Sequence, residues 1–287
     1  MKRLFCFLIL FGCNEELNLK IEDLNKFYIF SENDEIKRFF ISYFDTNFYR
    51  FLEIKNLSEL NKINNLIIIL TENSREFYRF YKYINDELGY KHNYSRDGSF
   101  LFGIFGKNEE DLKFNIYKNR SYIDSVLKKR VYELAYKRIF YFGIDKEKTR
   151  LFKEKLYLTL DIPVGWRILD SQSISHGSFF RFVKENPKRY MSLYILNTKP
   201  TLSYSNISET RKLLMDTFWN TKISYIAMDK LCIDGNIKQG VFRSCMGYLN
   251  SKAYFYDISV IDSYLNNLVL YIVEIDAILS NLSVNEK

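Results

Sequence analysis

The chain is predicted to be an α+β protein, with an N-terminal α/β part that contains long helices and a C-terminal part built mainly on an antiparallel β-sheet with one or two helices. Two observations predict this class. Helical periodicity is concentrated before residue 156, and the segments after it are short, apolar and separated by polar turns. Helices grouped apart from a mostly antiparallel sheet are typical of α+β folds.

The N-terminal part is predicted to alternate strands and helices. Ser31 and Asn108 have the spacing to acidic residues that is typical of helix N-caps, and apolar residues follow them at helical intervals. Apolar or alternating runs of strand length predict the strands. The expected strands cover residues 27–30, 48–54, 66–70 and 100–105, and the expected helices follow Ser31, cover 71–88 and 108–143, and end with a short one near 145–155.

The C-terminal part is predicted to contain short strands interrupted by one helix that Ser208 caps and that covers residues 209–219. The predicted strands cover 156–162, 178–184, 191–197, 225–234, 241–249, 253–261 and 268–275. We therefore expect an N-terminal domain over residues 27–150 and a C-terminal domain over 151–287.

Residues 1–12 have the pattern of a bacterial lipoprotein signal peptide. Lys2 and Arg3 precede an apolar run over residues 4–11, and Gly12 precedes Cys13. The run is too short to span a bilayer, which needs about 20 residues. We expect cleavage before Cys13, acylation of this cysteine, and a tether over residues 13–26. The alternative is an N-terminal core strand with an incidental cysteine.

The charge of the chain does not predict a nucleic-acid partner. The formal net charge is +7, and such an excess can indicate an anionic partner. However, lysines alternate with acidic residues instead of forming a basic block, and the scarcity of alanine and glutamine is typical of AT-rich coding. The expected partners are the membrane, through the lipid on Cys13, and an unidentified envelope protein.

Cys232 and Cys245 are the cysteines that remain once Cys6 leaves with the signal and Cys13 receives lipid. They lie on two predicted strands joined by a turn at 235–240, and a symmetric hairpin would place them opposite each other. Export permits oxidation. A disulfide and two buried free thiols both stay open, because a shift of one residue would separate the pair.

No constellation of residues predicts catalysis. His92 and His176 are the two histidines, each in a polar segment, and no serine near His176 has the sequence of a nucleophile elbow. The acidic residues 109–111 occupy a first helical turn, where the helix dipole accounts for them. Metal-ligand spacings and glycine-rich phosphate loops are also missing from the sequence. We predict no catalytic residue, no metal site and no cofactor.

The order of several short motifs resembles a known family. Residues 94–97 precede a strand, residues 108–111 begin a helix, and residues 158–166 end a strand at Trp166. Together with the lipobox-like N-terminus, they resemble an uncharacterised lipoprotein family of Bacteroidetes-type bacteria, described as a domain of unknown function. The resemblance covers most of the mature chain. It implies an exported, lipid-anchored, two-part α/β protein without an established activity.

Three residues within these motifs are candidate binding residues. Arg96 and Asp97 could form a recognition pair, or a structural ion pair that fixes their loop. Trp166 follows Pro163 and Gly165 at a strand end, where it could line a pocket or cover the C-terminal core. A structural role is the simpler interpretation in both cases.

The sequence therefore predicts a lipid-anchored lipoprotein of the cell envelope, on the periplasmic side of the outer membrane. We expect a non-enzymatic binding or scaffold module. The alternative is a lipid-anchored hydrolase that acts on envelope polymers with His176 as its base. A cleft that brings His176 close to a serine and a carboxylate would favour the hydrolase.

Overall fold

A computed structural model gives the fold, and it confirms the α+β class. The residues that it describes are 20–55, 63–81, 90–94, 99–156, 158–174, 177–196, 203–215, 220–227, 230–237, 240–249, 252–261, 268–279 and 282–284. The predicted signal peptide, Cys13, Arg96, Asp97 and His176 lie outside the described residues.

The N-terminal part contains a five-stranded sheet within the described residues, in the order β2-β1-β3-β5-β4. Strands β2, β1, β3 and β5 are parallel, and β4 pairs with β5 in the antiparallel direction. The elements are β1 (Lys26–Phe30), α1 (Asp34–Ile41), β2 (Arg50–Glu53), β3 (Asn65–Thr71), α2 (Phe77–Tyr81), β4 (Tyr90–Tyr94), β5 (Phe100–Gly106) and α3 (Glu109–Ile139).

Strand β3 is the central strand of this sheet, and both of its faces are buried. Ile67 and Ile69 belong to the large core that packs against α1 and α3, whereas Ile68 belongs to a smaller core with Phe77 and Phe80 of α2. A parallel strand covered on both faces is expected to be apolar throughout. This accounts for the unbroken apolar run at residues 66–70.

The C-terminal part contains a seven-stranded antiparallel sheet within the described residues, in the order β10-β11-β12-β13-β9-β8-β7. Its elements are α4 (Lys146–Leu156), β6 (Leu158–Thr159), β7 (Arg167–Ile174), β8 (Gly177–Lys184), β9 (Lys188–Leu196), α5 (Tyr204–Met215), β10 (Asn220–Ala227), β11 (Lys230–Ile237), β12 (Gly240–Leu249), β13 (Lys252–Ile261), α6 (Leu268–Leu279) and β14 (Ser283–Val284). Strands β6 and β14 form a separate short ladder.

One hydrophobic core joins the two parts. Helix α6 packs against both α3 and strand β13, and buried residues from Phe27 to Leu279 form a single cluster. Helix α4 belongs structurally with the C-terminal sheet, because the ring of Phe152 lies 5.5 Å from that of Phe180. The predicted tether is also partly folded, since Ile21–Asp23 forms a 3₁₀ turn and Leu24 is fully buried.

The strand predicted at 268–275 is wrong, because this segment belongs to helix α6. The helix is buried on all sides between α3 and the sheet, so its sequence is apolar nearly throughout. Apolar runs without periodicity do not distinguish a buried helix from a buried strand. Glu274 and Asp276, both fully buried, interrupt the run.

Several predicted boundaries also need correction. Helix α5 begins at Tyr204 and not after Ser208, and the Ser203 hydroxyl accepts the Asn206 N–H at 3.2 Å. The strand predicted at 225–234 is instead parts of two strands, β10 and β11, and the one predicted at 156–162 contains only β6. The N-cap of α1 is Asn33 instead of Ser31.

Candidate functional site

A cavity of about 400 Å³ lies at the carboxyl edge of the parallel sheet. After β1 the chain continues to β2, on one side of the sheet. After β3 it continues through α2 to β4, which lies beyond β5 on the other side, so the two connections diverge at this edge. Such a crevice is where ligands bind in open α/β sheets. The lining residues are Ser31, Glu32, Asn33, Asp34, Ile36, Ile69, Thr71, Asn73, Ser74, Glu109 and Leu112.

The loop after β1 is fixed by hydrogen bonds of Asn33. Its side-chain oxygen accepts the N–H groups of Glu35 at 2.8 Å and Ile36 at 3.3 Å, which caps α1. Its side-chain nitrogen donates to Glu109 Oε1 at 2.6 Å, which joins the first turns of α1 and α3. The backbone N–H of Asn33 donates to the Ser31 hydroxyl at 3.3 Å. One side of the cavity is therefore preorganised.

The opposite side of the cavity is the turn after β3. The Ser74 hydroxyl accepts the Thr71 N–H at 3.0 Å and lies 3.1 Å from the Thr71 hydroxyl. At the end of β5, Gly106 accepts the Glu72 N–H at 3.0 Å. A Cβ atom at Gly106 would lie 2.9 Å from the Leu112 nitrogen, so glycine permits the close approach of β5 to α3.

The lining of the cavity is acidic. Glu32, Asp34 and Glu109 contribute carboxylates, and Lys37 pairs with Asp34 at 2.5 Å. The hydrogen bond from Lys37 lowers the pKa of Asp34, which favours the ionised carboxylate. Hydroxyl, amide and carboxylate groups surround an apolar floor of Ile36, Ile69 and Leu112. This lining suits a small hydrophilic ligand that offers hydroxyl or amino groups.

The cavity contains no pairing of nucleophile and base among its lining residues. Ser31 and Ser74 are its serines, and no histidine, lysine or cysteine lines it. A general base must lie within hydrogen-bond distance of the hydroxyl that it activates, and the hydrogen bonds of Ser31 and Ser74 go to Asn33 and Thr71 instead of to a lining carboxylate. Throughout the described part of the chain, no group of three or more His, Cys, Asp or Glu side chains is arranged to hold a metal ion. The hydroxyl, amide and carboxylate groups of the lining can bind a ligand through hydrogen bonds.

A second group of charged residues, the α6 cluster, lies between α3, α6 and the C-terminal sheet. Glu274 Oε2 accepts Arg189 Nη1 at 2.8 Å, and Glu274 Oε1 pairs with Arg138 of α3. Asp276 accepts the Tyr132 hydroxyl at 2.8 Å and also the Tyr256 hydroxyl. Helix α6 thereby bonds to α3 on one side and to the sheet on the other.

A third group, the α5 cluster, lies on the opposite face of the C-terminal sheet. Asp257 Oδ2 accepts Arg211 Nε at 2.8 Å and the Ser244 hydroxyl at 2.6 Å, and Asp257 Oδ1 accepts the Ser259 hydroxyl at 2.8 Å. The Arg211 guanidinium carbon lies 3.7 Å from the ring centre of Phe242. All these groups are buried, so the pair joins α5 to the middle of the sheet.

The structure brings two of the sequence-predicted residues together and places a third in the core. Cys232 and Cys245 are directly opposite on β11 and β12, their Cα atoms are 4.1 Å apart, and they form a disulfide. Trp166 is fully buried in the core and lines neither side of the cavity. His92 pairs with Phe102 in the β4–β5 register, and its side chain is not described.

Sequence reasoning missed most of the cavity. It assigned the acidic residue Glu109 to the helix dipole alone, and gave Asn33, Asn73 and Ser74 no role. The available signal was that polar residues directly follow the apolar strands β1 and β3.

None of the described helices combines the length and the apolarity that crossing a bilayer requires.

Comparisons with known proteins add a distant similarity to a solved structure. No family model and no curated protein matches the chain. Among solved structures, the chain is similar to LpqN of Mycobacterium tuberculosis, a protein described as involved in cell envelope biogenesis. The two share 8% identity with a TM-score of 0.29, over 45% of this chain and 83% of LpqN. A similarity this low supports no inference about the fold or the function of this chain.

Proposed function

We propose that this protein is a lipid-anchored lipoprotein of the cell envelope, and that its N-terminal domain is a non-enzymatic module that binds a small hydrophilic ligand in the cavity described above. The observation that carries the binding role is the position of the cavity. It lies where the connections from β1 and β3 diverge, and loops fixed by hydrogen bonds line it on both sides.

The chemistry of the lining supports a ligand with several hydroxyl or amino groups. Glu32 and Glu109 offer acceptors, Ser31 offers a hydroxyl, and Asn73 offers both donor and acceptor atoms. A cavity of about 400 Å³ has the size of sites that enclose small molecules. The three lining carboxylates disfavour an anionic ligand.

Two observations support export and anchoring. The N-terminal sequence combines two basic residues, an apolar run and the Gly12-Cys13 step. The disulfide between Cys232 and Cys245 is the second, since disulfides persist in oxidising compartments and are rare in the cytosol. Packing of Leu24 in the core leaves residues 13–20 as the tether, which spans at most about 29 Å when extended. The folded part would therefore be held close to the membrane surface.

The binding role is tested by screening the purified protein against monosaccharides, polyols and polyamines with thermal shift. The screen should reveal a compound that raises the melting temperature in a concentration-dependent way. The Glu32→Gln variant should lose most of that shift, because Glu32 lines the cavity. Glu22→Gln is the matched control, since Glu22 is exposed and lies outside the lining. A shift that Glu32→Gln and Glu22→Gln both retain would refute binding in this cavity.

A further inference from the structure

The hairpin of β8 and β9 places two cations side by side at the edge of the α6 cluster. Lys184 and Arg189 are directly opposite in the register of these strands. Like charges directly opposite each other in a sheet are destabilising unless a counter-charge lies between them. Arg189 has Glu274 as its partner at 2.8 Å, but Glu274 is shared with Arg138.

Lys184 has no carboxylate of its own. Its side chain is half-buried and makes no hydrogen bond or ion pair within the described parts of the chain. Burial lowers the pKa of Lys184, the charges of Arg189 and Arg138 lower it further, and the charge of Glu274 opposes them. The cluster formed by Lys184, Arg189, Arg138 and Glu274 thus contains three cations and one carboxylate.

Two further donors in this cluster lack an acceptor. The indole N–H of Trp166 and the Nε–H of Arg189 are buried, and neither has a hydrogen-bond partner within the described residues. The Arg189 guanidinium carbon lies 5.9 Å from the Trp166 ring centre. Buried donors are satisfied in most proteins, so these two donors are available to an acceptor that binds near Arg189 and Lys184.

The corner at residues 163–166 lies against the end of the Lys184 side chain. Gly165 has a φ of +88°, and a Cβ atom built on it would lie 3.9 Å from Lys184 Cε. Gly165 is exposed and Lys184 is partly exposed, so the corner lies at the protein surface. A side chain at residue 165 would be strained and would narrow this approach.

We propose that Lys184, Arg189 and Trp166 form a binding site for a small tetrahedral oxyanion, of the phosphate or phosphomonoester class. Such an anion would supply acceptor oxygens to the ammonium, the Nε–H and the indole N–H, and would offset the excess positive charge. This site lies on the C-terminal sheet and does not share residues with the acidic cavity of the N-terminal domain. The two proposals can therefore be tested separately.

The test is calorimetric titration of the purified protein with inorganic phosphate at low chloride concentration, with tryptophan fluorescence as a second signal. The unsubstituted protein should show saturable binding, and acetate should bind more weakly because it has fewer oxygens and less charge. Lys184→Met should weaken phosphate binding about tenfold or more, since a charged hydrogen-bond donor is lost. Trp166→Phe should weaken phosphate binding by a smaller factor, because it removes the indole N–H but retains an aromatic ring.

Lys188→Met is the matched control. Lys188 is exposed, its side chain stacks on Tyr190 with Nζ 5.6 Å from the ring centre, and it lies one residue from Arg189 on the same strand. Phosphate binding should be unchanged in this variant. If Lys184→Met is poorly folded by circular dichroism, Lys184→Gln replaces it. Absence of saturable phosphate binding, or equal binding by the parent and both Lys184 variants, would overturn the proposal.

Discussion

The two sheets of this protein place their polar groups differently. In the parallel sheet, the polar residues of central strand β3 are at its ends, with Asn65 at the start and Thr71 at the finish. In the antiparallel sheet, Asp257 and Ser244 lie in the middle of β13 and β12, and both are fully buried. The first arrangement leaves a solvated crevice at one edge. The second uses charged groups to attach helices to the faces of the sheet.

This difference assigns the two sets of polar groups to different roles, ligand binding in the parallel sheet and structural support in the antiparallel sheet. Groups at strand ends can remain partly solvated and reach a ligand, so they are candidates for function. A buried ion pair in the middle of a sheet contributes little net stability, but losing one partner leaves a charge without compensation. The following predictions test whether the C-terminal ion pairs behave in this way.

The largest effect is expected for Asp257→Ala. This change leaves the Arg211 guanidinium buried without its carboxylate and removes the acceptor for Ser244. The free energy of unfolding should fall by about 3–5 kcal/mol, measured by urea denaturation. Glu185→Ala is the control, because its pair with Arg167 on the same sheet is exposed. That variant should lose less than about 1 kcal/mol. Equal losses in both variants would contradict the assigned roles.

Removal of the disulfide should have the next largest effect. The two cysteines are separated by 13 residues in sequence, and opening a loop of this size should lower the free energy of unfolding by about 3 kcal/mol. Comparing Cys232→Ser/Cys245→Ser with the oxidised parent in urea measures this loss. Addition of reductant should destabilise the parent and leave the double variant unchanged. A parent that contains two freely alkylated thiols would show that the bridge is absent.

Alkaline pH should destabilise both halves through buried tyrosines. Burial and the carboxylates of Asp124 and Asp276 raise the pKa of Tyr49 and Tyr256 above the ordinary value of 10.0. Because the folded pKa exceeds the unfolded value, this stabilisation is fully present below pH 10 and is lost as the pH rises further. Each tyrosine should contribute a decline of about 1.4 kcal/mol per pH unit above pH 10.

Urea unfolding between neutral pH and pH 11 measures this decline. Tyr49→Phe should make the free energy of unfolding decline less steeply with pH, because it removes a buried tyrosine of the N-terminal half. Tyr256→Phe should have the same effect, because it removes a buried tyrosine of the α6 cluster. Tyrosinate absorbance should show fewer ionised tyrosines in the folded protein than in the unfolded protein at the same pH, with Tyr49, Tyr132 and Tyr256 among those that stay protonated. Ionisation of Tyr49 and Tyr256 in the folded state near pH 10 would be inconsistent with their burial.

The smallest change in the free energy of unfolding is expected for two serines of the antiparallel sheet, Ser192 and Ser244. Ser192 is opposite Asp257 on the neighbouring strand, but its buried hydroxyl has no partner within the described residues. Ser192→Ala should therefore be neutral or stabilise the protein by up to about 1 kcal/mol. Ser244→Ala removes a donor to Asp257 and should destabilise it by about 1–2 kcal/mol. A larger loss in Ser192→Ala would show that its hydroxyl is bonded after all.

Local sequence signals predicted the elements whose stability is local. The Asn108 cap and the apolar stripe that follows it predicted α3, and the apolar run at residues 66–70 predicted strand β3. The start of α5 was misplaced because Ser203 and Ser208 offer the same capping chemistry. The identity of α6 was hidden because burial on every side removes the periodicity that marks a helix.

The contacts that build the sites depend on topology, which local patterns do not specify. Strand β13 pairs with β9, and this non-local pairing brings Asp257 opposite Ser192. Glu274 meets Arg189 and Arg138 only because α6 is inserted between α3 and the sheet. The cavity likewise requires β1 and β3 to be neighbours in the sheet. The polar residues after those strands were visible in the sequence, but their adjacency was not.

The central claim is that this chain is an envelope lipoprotein anchored through Cys13, and the intact mass of the protein isolated from membranes of its native host tests it most directly. We predict a chain that begins at Cys13 and carries the mass of a diacylglyceryl group, together with an N-terminal acyl chain where the host adds one. The Cys13→Ser variant should retain residues 1–12 and should be missing from the fraction that is processed and anchored in the membrane. An unmodified chain that begins at Met1 and fractionates in the same way as Cys13→Ser would contradict the claim.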